Sequence, residues 1–400
     1  MALSPQQAAA ADPVPISPNA WRNLVAAIAM VFVCDMALGL TYPLLNVIME
    51  ARGVDAWLIG LNSAMGPLGI IAAGLALPRL LARVHSGPVA WAGLILLVVT
   101  LLAFGLSDDF WVWCALRFVL GVGIAVLFSV SEAWLMHFSP DAHRGKITSA
   151  YTTVMALGFG AGAALLPVAG TQGFLPFVVA AVMITLSCLP LLFIRLDGKE
   201  FHGEQAGVSM ASFAVAAPLL LTGILTMTLF DSVMLSFFPI YALREGLDLT
   251  RGAWILSAAI TGAALLQIPV GWLADRWSRT GVIWLCILTT VVLSLAMPHV
   301  LNSWVVWPLA IILGTSAYSI YALALVALGD RFKGPMLVAG SAAVAAMWGI
   351  GGIAGPPATG WAFSGIGHHT MPWLLAAPFA VFAIFFGLAG GHLVRRQWRA

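Results

Sequence analysis

The chain has 400 residues, of which 61% are hydrophobic and only 8% are charged, and its formal net charge is +2. Soluble globular domains contain about 25% charged residues, so this composition excludes a soluble domain and predicts a protein embedded in a membrane. A helix needs about 20 apolar residues to cross a bilayer. The length therefore leaves room for about a dozen crossings and no large soluble domain.

Twelve apolar spans follow one another along the chain and predict an all-α membrane protein. Residues 1–23 lack the features of a cleaved signal peptide and are interpreted as a cytoplasmic tail. Two six-helix bundles are predicted over 24–195 and 214–394, joined by a polar cytoplasmic linker over 196–213 and followed by a cytoplasmic tail over 395–400. The predicted spans are 24–49, 56–80, 88–106, 110–137, 147–169, 174–194, 214–243, 252–274, 281–299, 304–328, 335–362 and 371–394.

Basic residues are distributed unequally between the two ends of these spans. With the N-terminus inside, 14 of the 18 Lys and Arg residues lie in segments on the cytoplasmic side, whereas the outer loops hold three, Arg52, Arg244 and Arg251. Cytoplasmic loops of membrane proteins carry an excess of basic residues. The bias therefore predicts that both termini are cytoplasmic, in a multi-pass protein of a bacterial-type inner membrane.

The first span contains an acid, Asp35, and a proline eight residues later, Pro43. A charged side chain at the centre of a membrane helix costs about 2.5–3.5 kcal/mol on insertion scales, so it indicates a functional site that faces a cavity or a partner. Residues spaced by one helical turn share the face of the acid, which predicts one wall of a cavity. These residues are Leu38, Gly39, Tyr42 and Asn46.

The second half of the chain repeats the first. Asp231 and Pro239, 196 residues on, reproduce the acid-to-proline spacing inside the seventh span. Duplicated halves are typical of transporters in which two bundles rock about a site near the membrane midplane. Further matches, at offsets that drift from 197 to 190, are Trp57 with Trp254, Gly74 and Arg79 with Gly271 and Arg276, Gly121 with Gly314, and Pro167 and Gly170 with Pro357 and Gly360.

The fourth span adds two charged residues that the second half does not reproduce. Arg117 stays protonated at any working pH, so in a cavity of low polarity it can favour the ionised form of a nearby carboxyl group. Glu132 follows 15 residues later, about 60° around the helix, so both can border one cavity at different depths. We therefore predict proton coupling through Asp35, Arg117 and Glu132, with Asp35 as the main carrier; which acid pairs with Arg117 stays open.

The seventh span presents a more apolar face, because Met234, Leu235 and Phe238 lie on the side of its acid, Asp231. This acid is interpreted either as a second protonation site or as the counter-charge of a cationic substrate. The predicted substrate cavity combines residues of both halves. Its members are Asp35, Tyr42, Asn46, Asp231, Phe238, Tyr318 and Tyr321.

Two motifs resemble signatures of the major facilitator superfamily, and the resemblance extends over essentially the whole chain. The loop from Gly271 to Gly281 is similar to the superfamily's signature of glycine, aspartate and spaced arginines. The residues that follow Arg117 in the fourth span are similar to a signature found in proton-coupled members. The first resemblance implies a latch that holds the cytoplasmic side in one conformation, formed by Asp275, Arg276 and Arg279.

Other positions depart from the superfamily's pattern or refine it. The corresponding loop of the first half has Pro78 where the acid belongs, which puts a first-half latch in doubt. The string from Glu132 to Leu135 is similar to the YcaD-like branch of the superfamily. In the fifth span, the four positions that correspond to the superfamily's antiporter motif are Ser149, Gly158, Gly162 and Ala163. Two of these residues differ from the motif.

The resemblance implies a secondary transporter that moves a small molecule by alternating access. The leading hypothesis is proton-driven efflux of a drug or metabolite, with the proton as the coupling ion and no cofactor. The alternative is a proton-coupled importer of a nutrient or metal chelate. A passive channel or a non-transporting receptor on the same scaffold stays open as a further alternative.

Several other classes of function lack their sequence motifs. Neither the Gly-x-Ser-x-Gly nor the His-Glu-x-x-His string of hydrolases occurs, which argues against an enzyme. The Gly-x-x-x-x-Gly-Lys-Ser/Thr loop of ATP-driven pumps is also absent from the sequence. The four cysteines, Cys34, Cys114, Cys188 and Cys286, have no metal-like spacing. The expected partners are a small-molecule substrate and membrane lipids, without nucleic acid or metal, and the resemblance implies a monomer.

Overall fold

The computed structural model describes residues 18–81, 83–140, 143–193 and 210–389, and every regular element in these ranges is a helix. A short helix, Met210–Ala216, precedes the second bundle, and 3-10 turns occupy Leu189–Phe193 and His368–Thr370. The other helices, α1 to α12, are Pro18–Ala51, Ala56–Leu81, Ser86–Phe104, Phe110–Phe138, Arg144–Ala169, Leu175–Ser187, Pro218–Arg244, Leu249–Arg276, Arg279–Val300, Val306–Arg331, Pro335–Gly365 and Met371–Leu388.

Ten of these helices are long and apolar enough to cross a membrane, counted over the described residues. Of the other two, α6 is apolar but has only 13 residues, fewer than the roughly 20 that a crossing needs. Helix α11 has 31 residues, which exceeds that length. Each predicted span overlaps one of the helices α1 to α12, and the all-α prediction is confirmed. Helix α1 begins at Pro18, six residues before the predicted span. The predicted tails over 1–17 and 395–400 and the linker over 196–209 lie outside the described residues.

Short polar residues fix where several helices begin. The side chain of Asp109 accepts a hydrogen bond from Val112 N at 2.9 Å and caps α4. Asp248 caps α8 in the same way, through a bond of 2.7 Å from Arg251 N. Such caps satisfy backbone N–H groups that have no partner within the helix. They set the ends of the membrane helices and therefore the depth of every residue along them.

The two six-helix bundles repeat the same internal packing. In the first bundle, a Cβ atom added to Gly121 of α4 would lie 2.1 Å from the backbone oxygen of Gly66 on α2. In the second, a Cβ atom on Gly314 of α10 would lie 2.0 Å from the backbone oxygen of Ala259 on α8. Only glycine permits this approach between backbones. The duplication predicted from the sequence thus appears as matching helix pairs in the two bundles.

The bundles meet mainly along two pairs of helices, α2 with α11 and α5 with α8, and α1 also contacts α7. In the first pair, a Cβ atom on Gly60 would lie 2.4 Å from the backbone oxygen of Pro356. In the second pair, Ser257 Oγ donates to Gly160 O at 2.9 Å. These contacts lie toward the end of the molecule formed by the loops after α1, α7 and α11, which we call the closed face.

The same helix pairs separate toward the opposite end. On α2 and α11, Leu75 and Ala345 continue the contacting surfaces but are exposed. On α8, the corresponding residues Leu265 and Ile268 are exposed as well. The bundles therefore diverge and leave a space between them that widens toward this end, where α2, α8 and α10 terminate. We call it the open face.

Candidate functional site

Two carboxyl groups lie near the middle of the molecule, one contributed by each half. Asp35 is on α1 and Asp231 is on α7, with exposed fractions of 7% and 4%. They are close enough to interact electrostatically, and Glu132 on α4 also acts on Asp35. Asp35 Oδ2 has no hydrogen-bond partner within the described part of the chain. Like charges repel strongly in such a low-dielectric surrounding, so a proton or another cation relieves the repulsion.

Asp231 is held by an aromatic wall. Tyr318 on α10 donates a hydrogen bond from its hydroxyl to Asp231 Oδ1. The ring of Tyr318 meets that of Phe230 edge to face, with centroids 6.3 Å apart, and Phe230 meets Phe379 of α12 in the same way at 5.7 Å. Edge-to-face pairs restrict the orientation of the rings. The carboxyl group therefore has a fixed position against three helices of the second bundle.

The third acid, Glu132, lies nearer the open face and has an exposed side chain. It is within electrostatic range of Tyr151 on α5 and of Tyr321 on α10, so it faces the space between the bundles. The rings of Tyr321 and of Trp348 on α11 meet edge to face, with centroids 5.7 Å apart. An acid and an aromatic pair thus border the route from the open face to the two central carboxyl groups.

Arg117 is fully buried, with an exposed fraction of 0%, and is bonded to amides rather than to an acid. Its Nη1 donates to Asn46 Oδ1 at 2.8 Å and to Asn62 Oδ1 at 2.9 Å. Its guanidinium carbon lies 4.5 Å from the ring centroid of Tyr42. Nε and Nη2 have no hydrogen-bond partner among the residues described. Arg117 therefore belongs to a polar cluster on the closed-face side of Asp35.

Asn46 joins this cluster to the second half of the chain. Besides its bond to Arg117, its Oδ1 accepts from Ser63 Oγ at 3.1 Å, while its Nδ2 donates to Ser236 O on α7 at 2.7 Å. Ser236 lies in the turn before Pro239, which has no N–H group and therefore leaves the carbonyl of Leu235, four residues earlier, without its helical donor. The neighbouring carbonyl of Ser236 has a second lone pair and can accept a bond from another helix. One amide thus connects the buried arginine of the first bundle to the backbone of the second.

An ion pair covers this contact at the closed face. Arg244 of α7 binds both carboxylate oxygens of Glu50 on α1, at 2.7 and 3.0 Å. The guanidinium carbon also lies 5.7 Å from the ring centroid of Phe363 on α11. Nearby, Trp57 N donates to Ser364 Oγ at 3.1 Å across the α2 and α11 pair. The closed face is therefore held by hydrogen bonds between the bundles as well as by packing.

The residues of the predicted latch lie apart from the acids, at the open face. Asp275 is 72% exposed and its carboxylate lies 3.8 Å from Arg279. Arg279 makes its shorter contact, 2.6 Å, with Asp330 at the end of α10. Arg276 lies over the ring of Trp272, with 4.8 Å between its guanidinium carbon and the ring centroid. In this conformation Arg279 connects α9 to α10 within the second bundle, and Asp275 is available for another partner.

Not every residue predicted for the cavity lies beside the acids. Tyr42 and Asn46 belong to the Arg117 cluster, and Phe238 is fully buried against Tyr241 in the second bundle. Gly39, which shares their helix face, packs against the backbone of Phe159 on α5. Residues that the sequence analysis did not assign to the site are Asn62, Tyr151, Trp348, Glu50, Arg244 and Asp330. In the sequence, the one feature that marked these residues was a polar side chain within or next to an apolar span.

No group of three or more His, Cys, Asp or Glu side chains that could hold a metal ion occurs in the described ranges. The arrangement instead combines buried acids, tyrosine hydroxyls and aromatic rings around a space that opens to one side. Such a site can bind a cationic ligand, and its carboxyl groups can take up and release protons.

Comparison with known proteins gives the same architecture. The Major Facilitator Superfamily model matches residues 27–318 and 220–396. The uncharacterized MFS-type transporter YfkF of Bacillus subtilis (strain 168) is 27% identical over 342 residues, which cover 84% of this chain and 87% of that protein. The uncharacterized MFS-type transporter YcaD of Escherichia fergusonii is 24% identical over 341 residues, covering 84% and 88% of the two chains.

Solved structures show the fold in full. A bacterial homolog of the human lysosomal transporter Spinster, in an inward-facing and unoccupied conformation, superposes with a TM-score of 0.75 at 14% identity, covering 96% of this chain and 99% of that one. The nucleoside transporter NupG gives a TM-score of 0.73 at 12% identity, covering 92% and 98%. These matches confirm the resemblance found in the sequence. The chain belongs to the major facilitator superfamily, whose members are multi-pass membrane transporters and not enzymes.

Proposed function

We propose that this transporter uses a proton gradient to export small amphipathic compounds, and that Asp35 is its main proton-carrying residue. The observation that carries the proposal is the position of Asp35, buried between the bundles in range of Asp231 and Glu132 and without a basic hydrogen-bond partner in the described ranges. Asp35 is within electrostatic range of both other acids, so a proton bound there acts on each of them. Protonation of Asp35 therefore changes the affinity of the whole cavity for a second ligand.

The orientation of the chain supports access from the cytoplasm. Basic residues concentrate at the open face, where Arg79, Arg83, Arg276, Arg279 and Lys333 lie. Because cytoplasmic loops are rich in Lys and Arg, we take the open face as cytoplasmic and the membrane as a bacterial-type inner membrane. The conformation is then inward-facing. A substrate from the cytoplasm reaches the acids, and protons enter from the other side after the bundles rock.

Arg117 and the latch residues take indirect parts in this cycle. Arg117 bonds to Asn46, which lies in the contact between α1 and α7 that must separate when the closed face opens, so Arg117 modulates coupling through Asn46 rather than by direct contact with an acid. Asp275, largely exposed in this conformation, is proposed to engage when the open face closes, with Arg276 and Arg279 beside it. The proton is the coupling ion, and a monomer in contact with lipid suffices for the cycle.

Proteoliposomes that contain the full chain and trapped pyranine test the proposal. Ethidium, chloramphenicol and taurocholate supply one cationic, one neutral and one anionic amphipathic compound. In an antiporter, uptake of a substrate releases protons from the lumen, so the luminal pH rises. A fall in luminal pH would show symport, and no change with any of the three would contradict proton coupling.

The variant Asp35→Asn removes the proton-carrying group while it keeps the size of the side chain. We expect proton movement to fall at least tenfold, while exchange of labelled substrate across the membrane continues without a gradient. Asp108→Asn is the matched control, because Asp108 is an exposed acid at the closed face, paired with Arg52 at 2.6 Å. Undiminished pH-driven flux in Asp35→Asn would overturn the role of Asp35.

A further inference from the structure

We propose that Asp231 and Tyr318 form the subsite for the positively charged group of the substrate, and that the substrates are organic monocations with an apolar body. In this arrangement Asp231 binds the cation and Tyr318 is a positioning residue. The inference rests on the proposed function for the transport cycle, but binding at the subsite can be measured without any proton gradient. It also assigns different roles to the two central acids.

The first argument is the hydrogen bond from Tyr318 to Asp231. A donor that points at a carboxylate stabilises the ionised form and fixes one of its oxygens, so the other oxygen stays available to a ligand. Asp35 has no such donor on Oδ2 within the described ranges. Of the two acids, Asp231 is therefore the one suited to stay ionised and bind a cation, whereas Asp35 is suited to carry the proton.

The second argument is that, among the residues described, no basic side chain lies at the depth of Asp231. Helix α7 packs against α1, α8, α10, α11 and α12. Helices α11 and α12 contain no charged residue, and the charged residues of α8 and α10 lie near their ends. At this depth α1 contributes another acid, Asp35, and α10 contributes Tyr318. Arg117, a fully buried arginine of the first bundle, is bonded to amides.

An ionised Asp231 thus lies in a low-dielectric site to which the described part of the chain supplies other acids but no cation. Buried ionic groups in membrane proteins normally pair with an opposite charge, because an unpaired charge is costly to bury. The missing charge is one that the substrate brings. An anion would add a third like charge to Asp35 and Asp231, so the same site excludes anionic compounds.

The aromatic rings around the acids indicate the apolar body. Phe230 and Tyr318 border Asp231, and Tyr321 with Trp348 lies on the way to the open face. Aromatic faces attract cations and pack against apolar groups. Glu132 at the entrance adds a negative potential that concentrates cations near the opening. A hydrophobic cation meets favourable groups along the whole route, whereas a strongly hydrated inorganic ion does not.

Binding of tritiated tetraphenylphosphonium to the purified full chain in detergent tests the inference, with tetraphenylborate as an anion of nearly the same shape. We expect saturable binding of tetraphenylphosphonium and displacement by ethidium. Tetraphenylborate should compete at least tenfold more weakly. Equal competition by the borate, or no saturable binding of either cation, would overturn the proposed substrate class.

Variants separate the subsite from general structural damage. Asp231→Asn should weaken tetraphenylphosphonium binding at least tenfold. Tyr318→Phe removes only the donor, so the carboxylate is less stabilised and takes a proton at higher pH. Binding should then fall about three- to tenfold at pH 6 and recover by pH 8. Ser316→Ala is the control, since it removes a buried hydroxyl of the same helix that bonds to Thr290 on α9.

Two results would contradict the assignment of Asp231 and Tyr318. One is full binding in Asp231→Asn, and the other is a loss in Tyr318→Phe that is the same at every pH. Thermal unfolding of each variant shows whether the chain is folded. If Asp231→Asn abolishes binding while pH gradients drive no transport in the unmodified chain, the subsite stands and proton coupling fails. If coupling is observed but Asp231→Asn binds normally, the subsite alone fails.

Discussion

Arg117 is a buried cation stabilised by dipoles and a ring rather than by an acid. Two asparagine oxygens accept from its Nη1, and its guanidinium group lies over Tyr42. Hydrogen bonds to a charged group contribute about 1.5–3 kcal/mol, more than bonds between neutral groups. The residue therefore connects α1, α2 and α4, and its loss should affect both the stability of the first bundle and the contact with α7.

We expect Arg117→Ala to lower the free energy of unfolding by about 2–4 kcal/mol, because it leaves the buried Asn62 Oδ1 without a donor, removes one of the two donors of Asn46 Oδ1 and creates a cavity. Arg117→Lys should cost less, since one amino group can reach one of the amides. Thermal unfolding in detergent measures both. Arg79→Ala, which removes an exposed arginine, is the control. Equal melting temperatures for Arg117→Ala and Arg79→Ala would contradict this account of the cluster.

The sequence identified the buried charged residues but not all of their partners. Asp35, Arg117 and Asp231 stood out because charges are rare within apolar spans. The pairing of Arg117 with Asn46 and Asn62 depends on how α1 and α2 are rotated against α4, which periodicity does not determine. Helix rise alone separates Asp35 from Asn46 by about 16 Å. The acid and the arginine therefore lie at different depths, and the arginine bonds to the amide at its own level.

Helix contacts within each bundle depend on glycines at the points of closest approach. Gly121 shows this, since an added Cβ atom would meet the backbone oxygen of Gly66 at 2.1 Å. A backbone atom cannot rotate away as a side chain can, so α2 and α4 must move apart. Gly74 on α2 offers a comparison, because nothing lies within 4 Å of the position of its Cβ.

Gly121→Ala should therefore destabilise the protein by about 1–3 kcal/mol, the usual cost of overpacking. Gly74→Ala should be neutral or stabilise by up to about 1 kcal/mol, because alanine is the better helix former. The difference in melting temperature between the two variants measures the effect of the close approach. A lower melting temperature for Gly74→Ala than for Gly121→Ala would show that helix packing at Gly121 is not the constraint described.

At the scale of helices, hydropathy predicted the number of spans well and their ends less well. The predicted sixth span, 174–194, ends as an α-helix at Ser187 and continues as a 3-10 turn from Leu189. Pro190 explains the change, because it lacks an N–H group and disfavours helical geometry at the residue before it. The contact between Arg279 and Asp330 was also missed, since it joins the ends of two helices that only the packing brings together.

The molecule as a whole is held in one conformation by contacts between its halves at the closed face. These include the bond from Asn46 to Ser236 O, the ion pair of Glu50 with Arg244, and the bond from Trp57 N to Ser364 Oγ. For the closed face to open, these bonds must break together. Weakening any one of these bonds should raise the population of the alternative conformation by a factor set by the free energy that this bond contributed.

Glu50→Gln is the most direct test, because it removes one charge and keeps the shape. A partly exposed ion pair contributes about 0.5–1 kcal/mol, so the outward-open population should rise about two- to fivefold. Spin labels on Ala51→Cys and Thr250→Cys, both exposed at the closed face, report the distance between the halves. The four native cysteines are buried, and the chain without introduced cysteines measures their background labelling.

Salt distinguishes this ion pair from packing. Raising the ionic strength should increase the long-distance fraction in the unmodified chain and leave Glu50→Gln nearly unchanged, because screening acts only on the charged pair. A variant that responds to salt as strongly as the unmodified chain would show that other charges hold the closed face.

Asp275→Asn should shift the same equilibrium in the opposite direction. If Asp275 engages only after the open face closes, the variant destabilises the outward-open conformation and leaves the inward-facing one, in which this acid is largely exposed, almost unaffected. With the labels at positions 51 and 250, the long-distance fraction should fall below that of the unmodified chain.

The sites of Glu50 and Asp275 lie at opposite ends of the molecule, so the effects of the two substitutions should add. Glu50→Gln combined with Asp275→Asn should therefore return the distance distribution toward that of the unmodified chain. A long-distance fraction that rises in Asp275→Asn would show that this acid stabilises the inward-facing conformation and is not the latch.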